Sequence, residues 1–212
     1  TLSLASGQLP QGITFSNGVL SGTSSAATGT YPLTFSATNV AGTVQQQFTL
    51  TLAAGISFTS AASSTFTVGS AGNFSVTATG TPQPAVTHTA GTLPSGVTFD
   101  QSTGALAGTP AAGTSGSYPL TFTATNTDGT IQQNFTLFVA GAPNITSANN
   151  TRFVAGTTGS FQVIASGYPA ATFAVTAGTL PNGVTLSGTG LLSGSPVAGT
   201  GGAYTVTVTA SN

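Results

Sequence analysis

Tyr118-Pro119-Leu120-Thr121-Phe122-Thr123-Ala124-Thr125 alternates an apolar side chain with a hydroxyl or a proline at every step. A period of two places successive side chains on opposite faces of a strand. Tyr118, Leu120, Phe122 and Ala124 are therefore expected to face a core, and the Thr row to face water. β-Branched Thr suits a solvent-facing pleated surface. Directly downstream, Asn126-Thr127-Asp128-Gly129 supplies turn chemistry, and Ile131, Gln133, Phe135, Leu137 and Val139 again occupy alternate positions. The two segments read as an antiparallel hairpin.

Working outward, Thr65 to Val68, Phe74 to Ala78 and Ala85 to Thr89 read as further short strands punctuated by Gly and Pro. No stretch carries a sustained 3.6-residue period. The opening pattern also returns as Tyr204, Val206, Val208 and Ala210 set against Thr205, Thr207 and Thr209. The strand belongs to a repeat.

Leu9-Pro10-Gln11-Gly12, Leu93-Pro94-Ser95-Gly96 and Leu180-Pro181-Asn182-Gly183 stand 84 and 87 residues apart. Tyr31, Tyr118 and Tyr204 keep the same beat, as do Asn39, Asn126 and Asn212. Between these landmarks each copy carries Leu-x-Gly-(Thr/Ser), at Leu20 to Thr23, Leu106 to Thr109 and Leu192 to Ser195. A recurrence of this length signals an array of modules. The expected division is 1–53 (repeat 1, lacking its first strands), 54–141 (repeat 2, complete) and 142–212 (repeat 3, lacking its last strand). The missing strands are expected either from a longer repetitive polypeptide or from neighbouring chains in an assembly.

About seven short strands per copy, with a turn signal every 8 to 12 residues, describe a two-sheet sandwich better than a barrel or solenoid. The recurring Tyr opens the penultimate strand, where an immunoglobulin-like fold places its tyrosine corner. The expected fold class is all-β, a tandem of immunoglobulin-like β-sandwich domains of about 86 residues each.

The succession Leu-Pro-x-Gly-(Val/Ile)-Thr-(Phe/Leu), Gly-x-Leu-x-Gly-(Thr/Ser)-Pro, Gly-x-Tyr and Thr-Ala-Thr-Asn-x-x-Gly-Thr, best seen from Leu93 through Thr130, resembles the He_PIG family of bacterial immunoglobulin-like repeats, which is related to cadherin-like repeats. The resemblance covers essentially the whole chain. It implies tandem modules of large secreted or surface proteins and implies no reaction. Thr23-Ser24 departs from the family's Thr-Pro, a change confined to a loop. Cadherin-like relatives use acidic residues to bind calcium between domains. Calcium needs six to eight oxygen ligands, usually with several carboxylates, and this chain offers only Asp100 and Asp128.

Charge is nearly absent: Arg152, Asp100 and Asp128 make up 1% of the chain, with no Lys and no Glu. Soluble domains carry roughly 25% charged residues. A surface of Thr, Ser, Asn and Gln hydrates well but gives no long-range repulsion, so self-association is favoured. Disorder is excluded by a hydrophobic content of 39% with regularly placed aromatics. There is no Cys, which suits an oxidising exterior. No apolar run reaches the roughly 20 residues needed to span a bilayer.

Candidate chemistry is sparse. His88 is the single histidine and occurs in one copy only, its counterparts being Leu4 and Ala174 or Val175. A hydrolase reading would pair it with a Ser and with Asp100 or Asp128; an ordinary strand residue is the stronger reading. One His, no Cys and two scattered Asp build no closed metal shell, and there is no pair of acids to flank a bond. No catalytic residue, cofactor or metal site is expected. Nucleic-acid binding needs several Lys or Arg against phosphates, and Arg152 stands alone. Lys-Asn isopeptide cross-links are excluded without Lys. The sequons at Asn73, Asn134, Asn144 and Asn149 are glycan acceptors in a host with the machinery. The Phe residues and three of the Tyr are expected to be buried, leaving Tyr168 as the exposed aromatic.

The expected role is mechanical: a structural repeat region of a secreted or cell-surface protein, serving as a fibre subunit or stalk that contacts itself or neighbouring repeats. An adhesin or glycan-binding surface module, with surface glycans as partner, is the alternative. The rows of Thr invite an ice-binding or glycan-binding reading, but they are first of all what an uncharged solvent-facing strand requires.

Overall fold

The computed structural model describes residues 1–212 and contains strands and turns but no helix. The chain divides into two compact units: residues 1–60, 77–87 and 123–132 form one, and residues 61–76, 88–122 and 133–212 the other.

The first unit opens with β1 (Leu2–Ser6), β2 (Ile13–Ser16), β3 (Val19–Gly22), β4 (Gly29–Asn39) and β5 (Gly42–Leu52). β1, β4 and β5 make one antiparallel sheet, and β2 and β3 pair as a hairpin. β4 and β5 stay in register from Gly29 opposite Leu52 to Asn39 opposite Gly42, closing on the two-residue loop Val40-Ala41. Asn39 Oδ1 accepts from Ala41 N at 2.8 Å, and side-chain capture of a nearby amide is why Asn marks this turn. Phe15 of the hairpin packs on Phe35 of the sheet, ring centroids 4.5 Å apart, and Phe35 meets Phe48 at 5.6 Å. The same unit holds the short pair of β6 (Ser57–Phe58) with a strand at Ala78–Thr79.

The chain continues through β7 (Ser63–Thr67), β8 (Gly72–Ser75), β9 (Ala78–Thr79), β10 (Ala85–Ala90), β11 (Val97–Asp100), β12 (Ala105–Gly108), β13 (Gly116–Asn126) and β14 (Gly129–Ile145). β8, β12 and β11 form one sheet, and β10, β13 and β14 form the other, with β7 added parallel to β14. In the second unit the two sheets face each other through aromatic contacts. Phe74 of β8 lies 5.1 Å from Phe135 of β14, and Phe99 of β11 lies 4.9 Å from Phe122 of β13. Phe122 and Phe135 meet edge-on at 5.5 Å, a favoured geometry for aromatic pairs. Leu106, Leu120, Ala124, Leu137 and Val139 complete a core with almost no exposed surface. The inward row read from residues 118–124 and 131–139 is the row observed, Tyr118, Ile131 and Gln133 being half-buried at its ends, but Thr123 of the row expected to face water is buried as well.

The unit ends with β15 (Gly159–Gln162), β16 (Ala165–Tyr168), β17 (Thr172–Ala177), β18 (Val184–Leu186), β19 (Leu191–Gly194) and β20 (Thr207–Ser211). β15, β19 and β18 form one sheet, β17 pairs with β20, and β16 pairs with the far end of β14.

Three expectations need correction. The segment 74–78 is not one strand. Val76 N donates to Gly104 O, whereas Thr77 O accepts from Thr59 N, so the chain leaves one partner for another between these residues and β8 gives way to β9. β20 begins at Thr207 rather than Tyr204, because β17 is its one hydrogen-bonded neighbour and their ladder reaches only to Thr207. β14 runs on to Ile145, past Val139 where the alternating row read from the sequence ends. Pro143 has no N–H to donate, and it falls within the register shift between Gly141 and Asn144, where the ladder is interrupted anyway.

Candidate functional surface

The recurring motifs prove to be structural devices. In each Leu-Pro-x-Gly the residue after Gly donates its N–H to the Pro carbonyl: Ile13 to Pro10 at 3.0 Å, Val97 to Pro94 at 3.0 Å and Val184 to Pro181 at 3.1 Å. Gly96, at φ +88°, occupies the turn position where only a residue without Cβ is unstrained. A Cβ there would stand 2.1 Å from Thr109 O, and one on Gly108 would stand 2.1 Å from Gly96 O. Thr109 N in turn donates to Gly96 O at 2.9 Å. Leu-Pro-x-Gly and Leu-x-Gly-Thr are thus two halves of one backbone contact.

Each recurring Tyr reaches the carbonyl four residues upstream. Tyr31 Oη donates to Ala27 O at 2.7 Å, Tyr118 Oη to Thr114 O at 2.8 Å, and Tyr204 Oη to Thr200 O at 2.9 Å. This is the tyrosine corner of an immunoglobulin-like sandwich, formed three times.

The titratable side chains do not converge. His88, on β10, is half-buried against the ring of Phe122 at 5.6 Å, and its Nε2 is buried without a hydrogen-bond partner. Asp100 closes β11, where its Oδ1 accepts from Ser102 Oγ at 2.7 Å and Ser102 N at 2.8 Å. The Ser102 hydroxyl, then its amide, hold the carboxyl below its ordinary value near 3.8. Asp128 sits in the β13–β14 turn with its N–H on Asn126 Oδ1 at 2.9 Å. No three His, Cys, Asp or Glu side chains come together. In the second unit a hollow of about 680 Å³ is lined mainly by inward apolar residues such as Phe161, Val184, Leu192 and Val206, with Tyr204 its one titratable side chain.

What the surface does display is hydroxyl groups paired across strands. Ser3 faces Ser36 at 2.9 Å, Thr38 faces Thr43 at 2.9 Å, Thr59 faces Thr77 at 2.8 Å, Thr125 faces Thr130 at 3.0 Å, and Thr176 faces Thr209 at 2.8 Å. Asn73, Asn134, Asn144 and Asn149 are all exposed, the first three on strands.

The aromatic expectations hold in part. Tyr168 is half-buried, with its ring stacked on Phe138 at 5.8 Å and 8°. Phe138, expected with the other Phe to be buried, lies on the outward row of β14 and is half-buried against the Tyr168 ring, thirty residues further along the chain. Tyr204 is 44% exposed and Phe48 39%, against the expectation that both are buried.

The He_PIG family model, whose description is "Putative Ig domain", matches residues 1–53, 55–140 and 142–212. The chain belongs to the He_PIG family. No curated protein matches it. Among solved structures it is similar to a tandem of titin Ig domains, at 16% identity and a TM-score of 0.46, covering 76% of this chain and 96% of that one. It is also similar to extracellular domains 3–5 of Drosophila OTK, at 17% identity and TM-score 0.42, covering 94% of this chain and 76% of that one. An endo-fucoidan hydrolase of glycoside hydrolase family 107 aligns at 17% identity and TM-score 0.37; the match covers 100% of this chain, which spans 37% of the enzyme. No helix of this He_PIG chain is long and apolar enough to cross a membrane.

Proposed function

We propose that this He_PIG chain is scaffolding: a run of tandem immunoglobulin-like modules working outside the cell as a stalk or filament segment, without catalysis of its own. The observation that carries the reading is β14, one strand from Gly129 to Ile145. Its middle pairs in parallel with β7 from Thr136 opposite Ser63 to Ala140 opposite Thr67, and its last part pairs with β16 from Gly141 opposite Tyr168. Consecutive family matches abut there, at 140 and 142. A strand shared in this way passes tension along backbone hydrogen bonds rather than through a slack linker. Support also comes from the near absence of charge, which leaves association between copies unopposed at long range. Glycans on the exposed Asn73, Asn134, Asn144 and Asn149 would add hydration that the charge-poor surface lacks.

Electron microscopy of the native material tests the proposal. Extended rods or filaments with a regular module repeat are expected. Discrete compact particles, or selective binding of a glycan by a dispersed monomer, would instead establish the adhesin reading.

A further inference from the structure

We propose that the stack of Phe138 on Tyr168 is a clasp that fixes the joint between the second and third repeats, a feature resting on the scaffolding reading and giving that scaffold one stiff joint. The geometry leaves no linker at this place. Val68 N donates to Ala140 O at 2.8 Å, so Ala140 is still tied to the second repeat. Its neighbour Gly141 already pairs with Tyr168 of the third.

The joint is closely fitted on both sides. A Cβ on Gly141 would meet Ser115 Cβ at 2.8 Å and Val68 Cγ2 at 3.4 Å. One on Gly167 would meet Pro143 Cα at 2.9 Å and the Gly141 and Ala142 carbonyls at 3.0 Å. Asn212 Nδ2 donates to Gly141 O and to Pro169 O, both at 2.9 Å, holding the loop that carries Tyr168 against the strand. Phe138 comes from the second repeat and Tyr168 from the third, so their rings bridge the joint directly. All of these residues lie within one compact unit.

The preceding repeat shows that the clasp is an addition to the shared plan. With an offset of 87 residues, the positions of Phe138 and Tyr168 are held by Thr51 and Thr81. The backbone arrangement is nonetheless kept there, since Thr81 N donates to Ala54 O at 3.1 Å. Stacked rings resist bending because tilting one module separates them, and an aromatic pair contributes beyond the area it buries. Two Thr side chains offer no such resistance.

The chain has no Cys, so paired spin labels can be placed at will. Thr98→Cys with Thr185→Cys puts one label on β11 and one on β18, both at exposed positions of the same unit. Double electron–electron resonance on the full chain should give one narrow distance. Phe138→Thr should raise the fraction of molecules outside that distance roughly two- to tenfold, as loss of an aromatic stack implies. Tyr168→Phe, which keeps the ring, should leave the distribution narrow. Far-UV circular dichroism checks that each variant is folded. A Phe138→Thr distribution as narrow as the parent's, or a Tyr168→Phe distribution as broad as that of Phe138→Thr, would overturn the clasp. Either result leaves the scaffolding reading standing, because that is judged separately by microscopy of the unaltered protein.

Discussion

Replacing Phe135 by Ala and, separately, its counterpart Phe48 by Ala makes the same chemical change at equivalent positions of two repeats, 87 residues apart. The surroundings differ. Phe135 is 1% exposed between Phe74 at 5.1 Å and Phe122 at 5.5 Å, whereas Phe48 is 39% exposed with Phe35 as its ring neighbour. Truncating a fully enclosed Phe loses its transfer free energy and leaves a cavity, together about 3–5 kcal/mol. Phe48 has about three fifths of its surface covered, and water fills the space it vacates, so its loss is about 1–2 kcal/mol. Native-state hydrogen exchange read by mass spectrometry separates the two, since each repeat reports through its own peptides and a single unfolding midpoint is ill-defined for linked modules. In Phe135→Ala, protection over 129–139 should fall at least about a hundredfold; in Phe48→Ala, protection over 42–52 should fall about tenfold. Equal losses, or the greater loss at Phe48, would refute the placement of the core between the sheet of β8, β12 and β11 and the sheet of β10, β13 and β14.

Gly96→Ala should cost about 3 kcal/mol or more, since it combines left-handed backbone strain with a Cβ 2.1 Å from the Thr109 carbonyl; faster exchange over 97–109 checks it, and an unchanged rate contradicts it. Tyr118→Phe removes the 2.8 Å bond to Thr114 O and should cost about 1 kcal/mol, read as roughly fivefold faster hydrogen exchange over the strand peptides of the second repeat, and unchanged exchange contradicts it. For Asp100 the carboxyl is held low in the folded state, so its contribution is complete above the ordinary value near 3.8 and fades as the pH falls through the lowered one. An NMR titration should place its midpoint below 3.8, and Ser102→Ala should move it back up; a parent midpoint at or above 3.8 would contradict the hydrogen bonds assigned to Ser102.

The fold was legible where side-chain pattern and turn chemistry determine structure locally. Alternation over 118–125 reports which row meets the core, because burial acts on each residue of a strand independently of its distant partners. The Leu-Pro-x-Gly turns and the Tyr corners were legible for a similar reason: each closes within a few residues of itself. What escaped the sequence depends on partners remote along the chain. The break between Val76 and Thr77 exists because β8 and β9 serve different neighbours, and neither neighbour is written into residues 74–78. The continuation of β14 through Pro143 depends on a register shift against β16 that no local propensity encodes. The stack at the joint escaped for the same reason, since Phe138 and Tyr168 stand thirty residues apart and neither stretch encodes the meeting of the two rings.

The near absence of charge bears on association as much as on folding. Sheets commonly protect their edges with Lys, with Pro, or with bulges that turn the strand away. With no Lys and a single Arg, this chain is left with Pro and with backbone geometry such as the irregularity between Leu4 and Ser6 in β1. Its cross-strand hydroxyl pairs, Thr38 with Thr43, Thr125 with Thr130 and Thr176 with Thr209, satisfy one another and contribute modestly to pairing. They supply no field that would keep a second copy at a distance. In a freely diffusing monomer that would be a liability. In a scaffold whose modules are joined by shared strands and lie beside other copies, it removes the electrostatic cost of close packing and leaves shape and backbone pairing to decide which surfaces meet.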